Sequence, residues 1–110
     1  MSSFEKSKKF FLEGIELYSK QNYKGAIIKF TNSLDLEPDR PSTLLNLSKS
    51  YLQIKQLENA KYNLEKIIKL NGFENEKKEA LNLLLNIYFE IDDFEEINKL
   101  KNINLSLIHI

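Results

Sequence analysis

Apolar residues recur at helical spacing along most of this chain. One such pattern covers residues 4–20 and a second covers residues 23–36, with a short polar segment between them. Asn22 is a favourable N-cap for the second pattern, and Pro38 disfavours helical geometry in the residue before it. The spacing therefore predicts two short amphipathic helices that meet at a polar turn.

The same arrangement returns 34 residues later. The matched pairs are Leu17 and Tyr51, Tyr23 and Leu57, Ala26 and Ala60, Phe30 and Leu64, and Leu36 and Leu70. A third copy follows at a spacing of 37 residues, at Tyr88, Phe94 and Ile97. A fixed period of this length is typical of stacked helix-turn-helix repeats, so we predict an all-α fold of about three helical hairpins.

Local signals predict where the helices begin and end. Asp39 would cap the third helix, which has Pro41 in its first turn, and Gly72 would stop the fourth. We expect the fifth helix at about residues 78–91 and a sixth helix capped by Asp93. The predicted units are a disordered start at residues 1–3 and a repeat domain at residues 4–102, with repeats at residues 7–40, 41–74 and 78–102.

The segment 103–110 departs from the pattern. Lys101, just before it, stands where the repeat has an aromatic residue or leucine, and the segment itself is apolar and rich in β-branched side chains. Repeat arrays end in a capping helix with a polar outer face, which this segment does not resemble. Two interpretations stay open: the chain is a piece of a longer array, or its last residues are foreign to the natural protein.

Composition and charge exclude several classes of function. Lysine plus arginine and aspartate plus glutamate both number 16, so the net charge is zero and nothing favours nucleic acid or an anionic membrane as the partner. The chain has no cysteine, which excludes disulfides, thiolate catalysis and zinc–thiolate sites. Its longest apolar run, at residues 83–85, is too short for membrane insertion. Because its start lacks the apolar core of a signal peptide, we expect a cytoplasmic location.

The residues and their period resemble the tetratricopeptide repeat family over nearly all of residues 7–101. The family's positions are matched in the first repeat by Phe10, Gly14, Tyr23, Ala26, Phe30 and Pro38, and in the second by Leu44, Leu47, Tyr51, Leu57, Ala60 and Leu64. Departures are Glu13 at a usually apolar position, Ser48 for the glycine and Gly72 for the closing proline. The resemblance implies a right-handed superhelical stack of hairpins whose first helices line a concave groove. Such repeats bind an extended peptide or a helix of another protein.

On this resemblance, the groove is lined by one face of each first helix. The groove residues that we expect are Phe11, Ile15, Tyr18, Leu45, Asn46, Lys49, Leu52, Gln53, Asn82 and Asn86. Its apolar members, together with Phe89, would be partly exposed in an empty groove, and an exposed apolar patch with a polar rim indicates a protein partner. Two other interpretations stay open: some of these residues belong to the core, or the segment 103–110 folds back and fills the groove.

We therefore predict a non-catalytic interaction module, without cofactor or metal, that binds a peptide or amphipathic helix in a largely apolar groove. One alternative is a co-chaperone module for the acidic C-terminal tail of Hsp70 or Hsp90. Members of the family that bind such tails use a clamp of lysine, asparagine and arginine. At the clamp positions this chain has Phe11, Ile15, Asn46, Glu79 and Leu83, so that only the second asparagine is present. The other alternative is a scaffold that associates with itself through the apolar segment 103–110.

Overall fold

A computed structural model describes the backbone of residues 1–108 and the side chains of residues 1–102. This part of the chain forms six α-helices and contains no strand, which confirms the all-α fold class. The helices are α1 (Ser3–Ser19), α2 (Tyr23–Leu36), α3 (Pro41–Gln53), α4 (Leu57–Ile68), α5 (Glu74–Glu90) and α6 (Phe94–Ile108). The side chains of the apolar segment 103–110 lie outside the described residues, so its expected roles stay predictions.

The three hairpins turn in the same way. In each hairpin, the second residue after the first helix takes a left-handed backbone conformation. These residues are Gln21 (φ 63°), Lys55 (φ 61°) and Asp92 (φ 58°). The next residue donates its backbone N–H to the carbonyl oxygen five positions back, from Asn22 to Leu17, from Gln56 to Tyr51 and from Asp93 to Tyr88, each at 2.9 Å. This Schellman arrangement satisfies carbonyl groups that a helix end would otherwise leave unpaired. The period of the sequence is therefore also a period of turn geometry.

The residue that completes each turn also starts the second helix of the hairpin. Asn22 accepts a hydrogen bond from the backbone N–H of Gly25 at 3.0 Å, and Asp93 accepts one from Glu96 at 3.2 Å, so both predicted N-caps are confirmed. Each cap satisfies a backbone donor that the first turn of a helix cannot pair internally.

The hairpins stack side by side in chain order. Each helix packs against the next one along the chain, so α2 and α4 connect neighbouring hairpins. The first helices also touch directly, because α1 contacts α3 and α3 contacts α5. Within the described residues, the second helices α2 and α4 make no such contact. The first helices therefore lie close together on one side while the second helices diverge on the other, which gives the stack a concave face formed by α1, α3 and α5.

Two apolar clusters form the core. The cluster of the first hairpin is centred on Ala26 and Phe30 with Leu47 from α3, and a larger one runs from α3 to α6. Gly14 lets α1 approach α2 closely, since a Cβ atom there would lie 2.5 Å from Cε1 of Phe30. Burial of a side chain such as Phe30 stabilises the fold by roughly 1.5–3 kcal/mol.

Two expected features of the helix starts were wrong. Asp39 does not cap α3: it takes a φ of 63°, and Arg40 is the N-cap, without a hydrogen bond from its side chain. The fifth helix begins at Glu74 instead of about residue 78. Its first four residues are polar and none of them is buried, so the apolar pattern that predicts a helix begins only after the helix itself has started.

Candidate functional site

Two side-chain contacts connect the first helices of neighbouring hairpins. Gln53 of α3 donates its Nε2–H to the hydroxyl oxygen of Tyr18 in α1 at 3.4 Å. Lys49 of α3 forms an ion pair with Glu79 of α5. These four side chains therefore stand where α1, α3 and α5 face one another, on the concave side of the stack.

Helical spacing identifies the other residues that lie on the same side of each helix as these contacts. Side chains three or four positions apart lie on the same side of a helix. The faces that contain the bridging residues are Phe11, Ile15 and Tyr18 in α1; Asn46, Lys49 and Gln53 in α3; and Glu79, Asn82 and Asn86 in α5. Eight of these nine are predicted groove residues, and Glu79 occupies an expected clamp position. The spacing therefore supports the predicted groove, which stays a proposal.

Leu45 differs from the other predicted groove residues. It is only 6% exposed and belongs to the larger apolar cluster. It therefore offers little surface to a ligand, in contrast to the expectation that it would be partly exposed. The remaining predicted residues are half-buried or exposed, with Gln53, Asn82 and Asn86 in the exposed group.

The apolar residues of α1 have a second role in packing. The ring of Phe11 lies 5.9 Å from that of Phe30, between ring centroids, and Tyr18 meets Tyr23 edge to face at 5.2 Å. Phe11, Ile15 and Tyr18 all pack against the cluster of the first hairpin. Each of these side chains thus lies partly in the core and partly at the surface. The groove is therefore less apolar than the sequence predicts.

The ion pair between Lys49 and Glu79 sets the charge of the groove. Both side chains are partly exposed, at 34% and 46%, so the pair adds at most about 1 kcal/mol to stability. The ion pair has a larger effect on which ligands can bind. It neutralises the Lys49 ammonium group, and it places the Glu79 carboxylate where the clamp would have a lysine. A ligand carboxylate that approached Glu79 would be repelled.

The amide side chains offer neutral hydrogen bonds. Asn46 donates its Nδ2–H to the backbone carbonyl of Ser42 at 2.8 Å, which directs its Oδ1 atom as an acceptor. Asn82 and Asn86 are exposed, and an amide can both donate and accept. These groups match the alternating N–H and C=O groups of a peptide backbone.

The ionisable group with the largest pKa shift lies away from the groove. Burial raises the pKa of Tyr88 to about 12, with a further contribution from the negative charges of Glu65, Glu96 and Asp93. Tyr88 lines a small cavity of about 170 Å³ between α4, α5 and α6. Over the described residues, no cluster of His, Cys, Asp or Glu side chains could hold a metal ion, and no helix has the length and apolarity to cross a membrane.

Sequence analysis did not predict two features. One is the ion pair from Lys49 to Glu79, for which the available signal was opposite charge at groove positions of successive repeats. The other is a cavity of about 460 Å³ at the outer edge of the first hairpin, beside Lys9 and Glu13. The sequence signal for this cavity was the charge of Lys9 and Glu13, because their equivalents in the next repeat, Thr43 and Leu47, are uncharged.

Comparisons with known proteins agree with the repeat pattern. A family model described as "Tetratricopeptide repeat" matches residues 41–73, the second hairpin and the turn after it. A search of curated proteins found no match. Among solved structures, the chain is similar to the first tetratricopeptide-repeat domain of Spaghetti (RPAP3) bound to the HSP90 peptide SRMEEVD, at 21% identity and a TM-score of 0.79. That similarity covers 94% of this chain and 80% of the other. Residues 41–73 therefore match a tetratricopeptide repeat, and the chain as a whole shares the helical fold of that solved repeat domain.

Proposed function

We propose that the chain is a non-catalytic interaction module whose concave face binds an extended peptide or a helix of another protein. The observation that carries this proposal is the contact of α1 with α3 and of α3 with α5, which places one face of each first helix beside the next. Apolar surface at Ile15 and Leu52 would bury side chains of the ligand, and each buried methylene group contributes about 0.8 kcal/mol.

The polar residues of the same face would hold the ligand backbone. Asn46, Asn82 and Asn86 offer amide groups along the groove, next to a Lys49 ammonium that Glu79 already neutralises. A face with this composition favours a ligand segment with apolar side chains and little net charge. Binding of such a segment would change little with salt, because screening weakens only interactions between charges.

A selection from a random peptide library tests this function. We expect the selected peptides to be apolar, and we expect the exposed groove substitution Asn82→Arg to weaken their binding at least tenfold, since it places a long charged side chain in the groove. Asn98→Arg is the matched control, because Asn98 is an exposed asparagine of α6. Equal affinity of the selected peptides for both variants would place their binding outside the groove.

A second candidate function is capture of an acidic chaperone tail. The solved structure with an HSP90 peptide favours it, since that domain shares this fold. Of the five clamp positions only Asn46 carries the expected residue, and Glu79 carries the opposite charge. The peptide SRMEEVD is therefore the direct probe. For a co-chaperone, the chain would bind this peptide, lose affinity as salt rises, and gain affinity in the Glu79→Lys variant; absence of binding at low salt would exclude this function.

A further inference from the structure

The outer edge of the first hairpin carries a cavity of about 460 Å³ on a surface separate from the concave groove. Its lining residues are Met1, Lys6, Lys9, Phe10, Glu13 and Lys29. The ammonium group of Lys29 lies 5.4 Å from the centroid of the Phe10 ring and 3.6 Å from the Glu13 carboxylate. An aromatic surface is thus surrounded by three ammonium groups and, among these lining residues, one carboxylate.

The repeat period shows what covers this position in the later hairpins. The equivalents of Lys9, Phe10 and Glu13 are buried in both of them: they are Thr43, Leu44 and Leu47 in the second hairpin and Ala80, Leu81 and Leu84 in the third. There the preceding hairpin packs against the edge, through contact of α2 with α3 and of α4 with α5. The outer edge of the first hairpin therefore has the shape of a surface on which a helix packs.

The third hairpin shows a helix packed at the equivalent position. Leu84 and Leu100, the equivalents of Glu13 and Lys29, line the small cavity of about 170 Å³ together with Ile68 of α4. A helix, α4, thus lies over the surface that in the first hairpin is open. A ligand that packed on the first hairpin in the same way would be a helix with an apolar side chain directed at Phe10.

The charges of the outer edge indicate which charged side chains a ligand helix would need. Lys6, Lys9 and Lys29 carry three positive charges and Glu13 one negative charge, so the side chains of the lining have a net charge of two positive. A helix that presented only apolar side chains to this edge would cover the ammonium groups without compensating them, which is unfavourable. Carboxylates beside the ammonium groups would compensate them through charge-assisted hydrogen bonds.

We propose that this outer edge, formed by Lys6, Lys9, Phe10 and Lys29, binds an acidic amphipathic helix of another protein. One apolar side chain of that helix lies on the Phe10 ring, and glutamate or aspartate side chains pair with Lys6 and Lys9, whose charges Glu13 leaves uncompensated. The Glu13 carboxylate opposes such a ligand and is partly neutralised by Lys29.

A titration of the full chain with two synthetic peptides tests this proposal. The first peptide has leucines at helical spacing on one face and glutamates on both sides of that face; the second has lysines in place of the glutamates. We expect the acidic peptide to bind and to shift the backbone amide signals of Lys6, Lys9 and Phe10 in two-dimensional NMR spectra. Lys9→Glu should weaken binding at least tenfold, because it reverses a charge that faces the ligand. Glu13→Gln should strengthen it by removing a repelling carboxylate.

Lys24→Glu is the matched control, because it makes the same charge change at an exposed position of α2 that does not line the cavity. Its binding should equal that of the unmodified chain, and melting temperatures show whether each variant stays folded. Equal binding of the basic peptide, unchanged affinity in Lys9→Glu, or amide shifts centred on Lys49 and Asn82 would each overturn the proposal. The Asn82→Arg variant separates the two surfaces, since it should keep the acidic peptide bound at the outer edge.

Discussion

Replacement of Gly14 by alanine tests how closely the helices of the first hairpin approach each other. A Cβ atom there would lie 2.5 Å from Cε1 and 2.6 Å from Cδ1 of Phe30. Phe30 is fully buried and its ring packs against Phe11, so the ring has little space into which it can move. Overpacking of this kind costs about 1–3 kcal/mol, whereas alanine gains about 1 kcal/mol over glycine inside a helix. We expect a net decrease on the order of 1 kcal/mol in the free energy of unfolding.

The second hairpin suggests a compensating substitution. The equivalents of Gly14 and Phe30 are Ser48 and Leu64, both fully buried, so a larger residue on the first helix occurs with a smaller one on the second. Phe30→Leu should therefore be more favourable in the Gly14→Ala variant than in the parent chain. Alone it opens a void, which is destabilising; combined with Gly14→Ala it relieves the overlap. We expect a favourable coupling energy on the order of 1 kcal/mol between the two sites.

Urea denaturation of the parent chain, both single variants and the double variant, followed by circular dichroism, measures this coupling. For a domain of this size, each kcal/mol lost from the free energy of unfolding also lowers the Tm by roughly 4–8 °C. A Gly14→Ala variant as stable as the parent would refute the reasoning, because helix propensity alone would then decide the outcome. Strict additivity of the two substitutions would show that the side chains do not meet.

Three further predictions concern single side chains. Thr43→Val should raise the free energy of unfolding by about 1 kcal/mol in urea denaturation, because the buried Thr43 hydroxyl has no hydrogen-bond partner among the described residues; Thr43→Ser should lower it. Gln56→Asp should add about 1 kcal/mol in the same assay, because the Gln56 backbone (φ −93°, ψ 75°) matches that of the cap Asn22 (φ −88°, ψ 74°) but its side chain makes no cap bond. Tyr88 has a pKa of about 12 when folded against 10.0 ordinarily, so the folded state binds its proton more tightly. Stability should therefore fall by on the order of 2 kcal/mol as the pH rises through this window, and Tyr88→Phe should remove that part of the fall in denaturation curves measured against pH.

The sequence predicted the hairpins well because the signals that define them are local and periodic. The bounds of α2 and the caps at Asn22 and Asp93 follow from residues within one unit. The start of α3 was less predictable. Asp39 has the side chain of a cap, but Pro41 begins the helix and leaves Arg40 in the cap position, so position outweighed residue type.

Burial of Leu45 was not predictable, because a repeat has two surfaces that the sequence period alone does not distinguish. A position on a first helix faces either the open concave side or the neighbouring hairpin, and both favour apolar residues. Leu45 faces the core shared with the later hairpins, while Asn46, one position further, lies on the face of Lys49. Only contacts between hairpins, such as the ion pair of Lys49 with Glu79, distinguish the two surfaces.

The apparent failure of the repeat at its last unit has the same physical origin. Leu45 and Leu64 are buried because the third hairpin covers them, whereas their equivalents in the third hairpin, Asn82 and Lys101, are exposed. An exposed position favours polar side chains and a covered one favours apolar side chains, so equivalent positions carry different residues according to what lies against them. The helix itself continues past Lys101, since α6 extends to Ile108. Lys101 therefore departs from the residue pattern of the repeat without ending the helix.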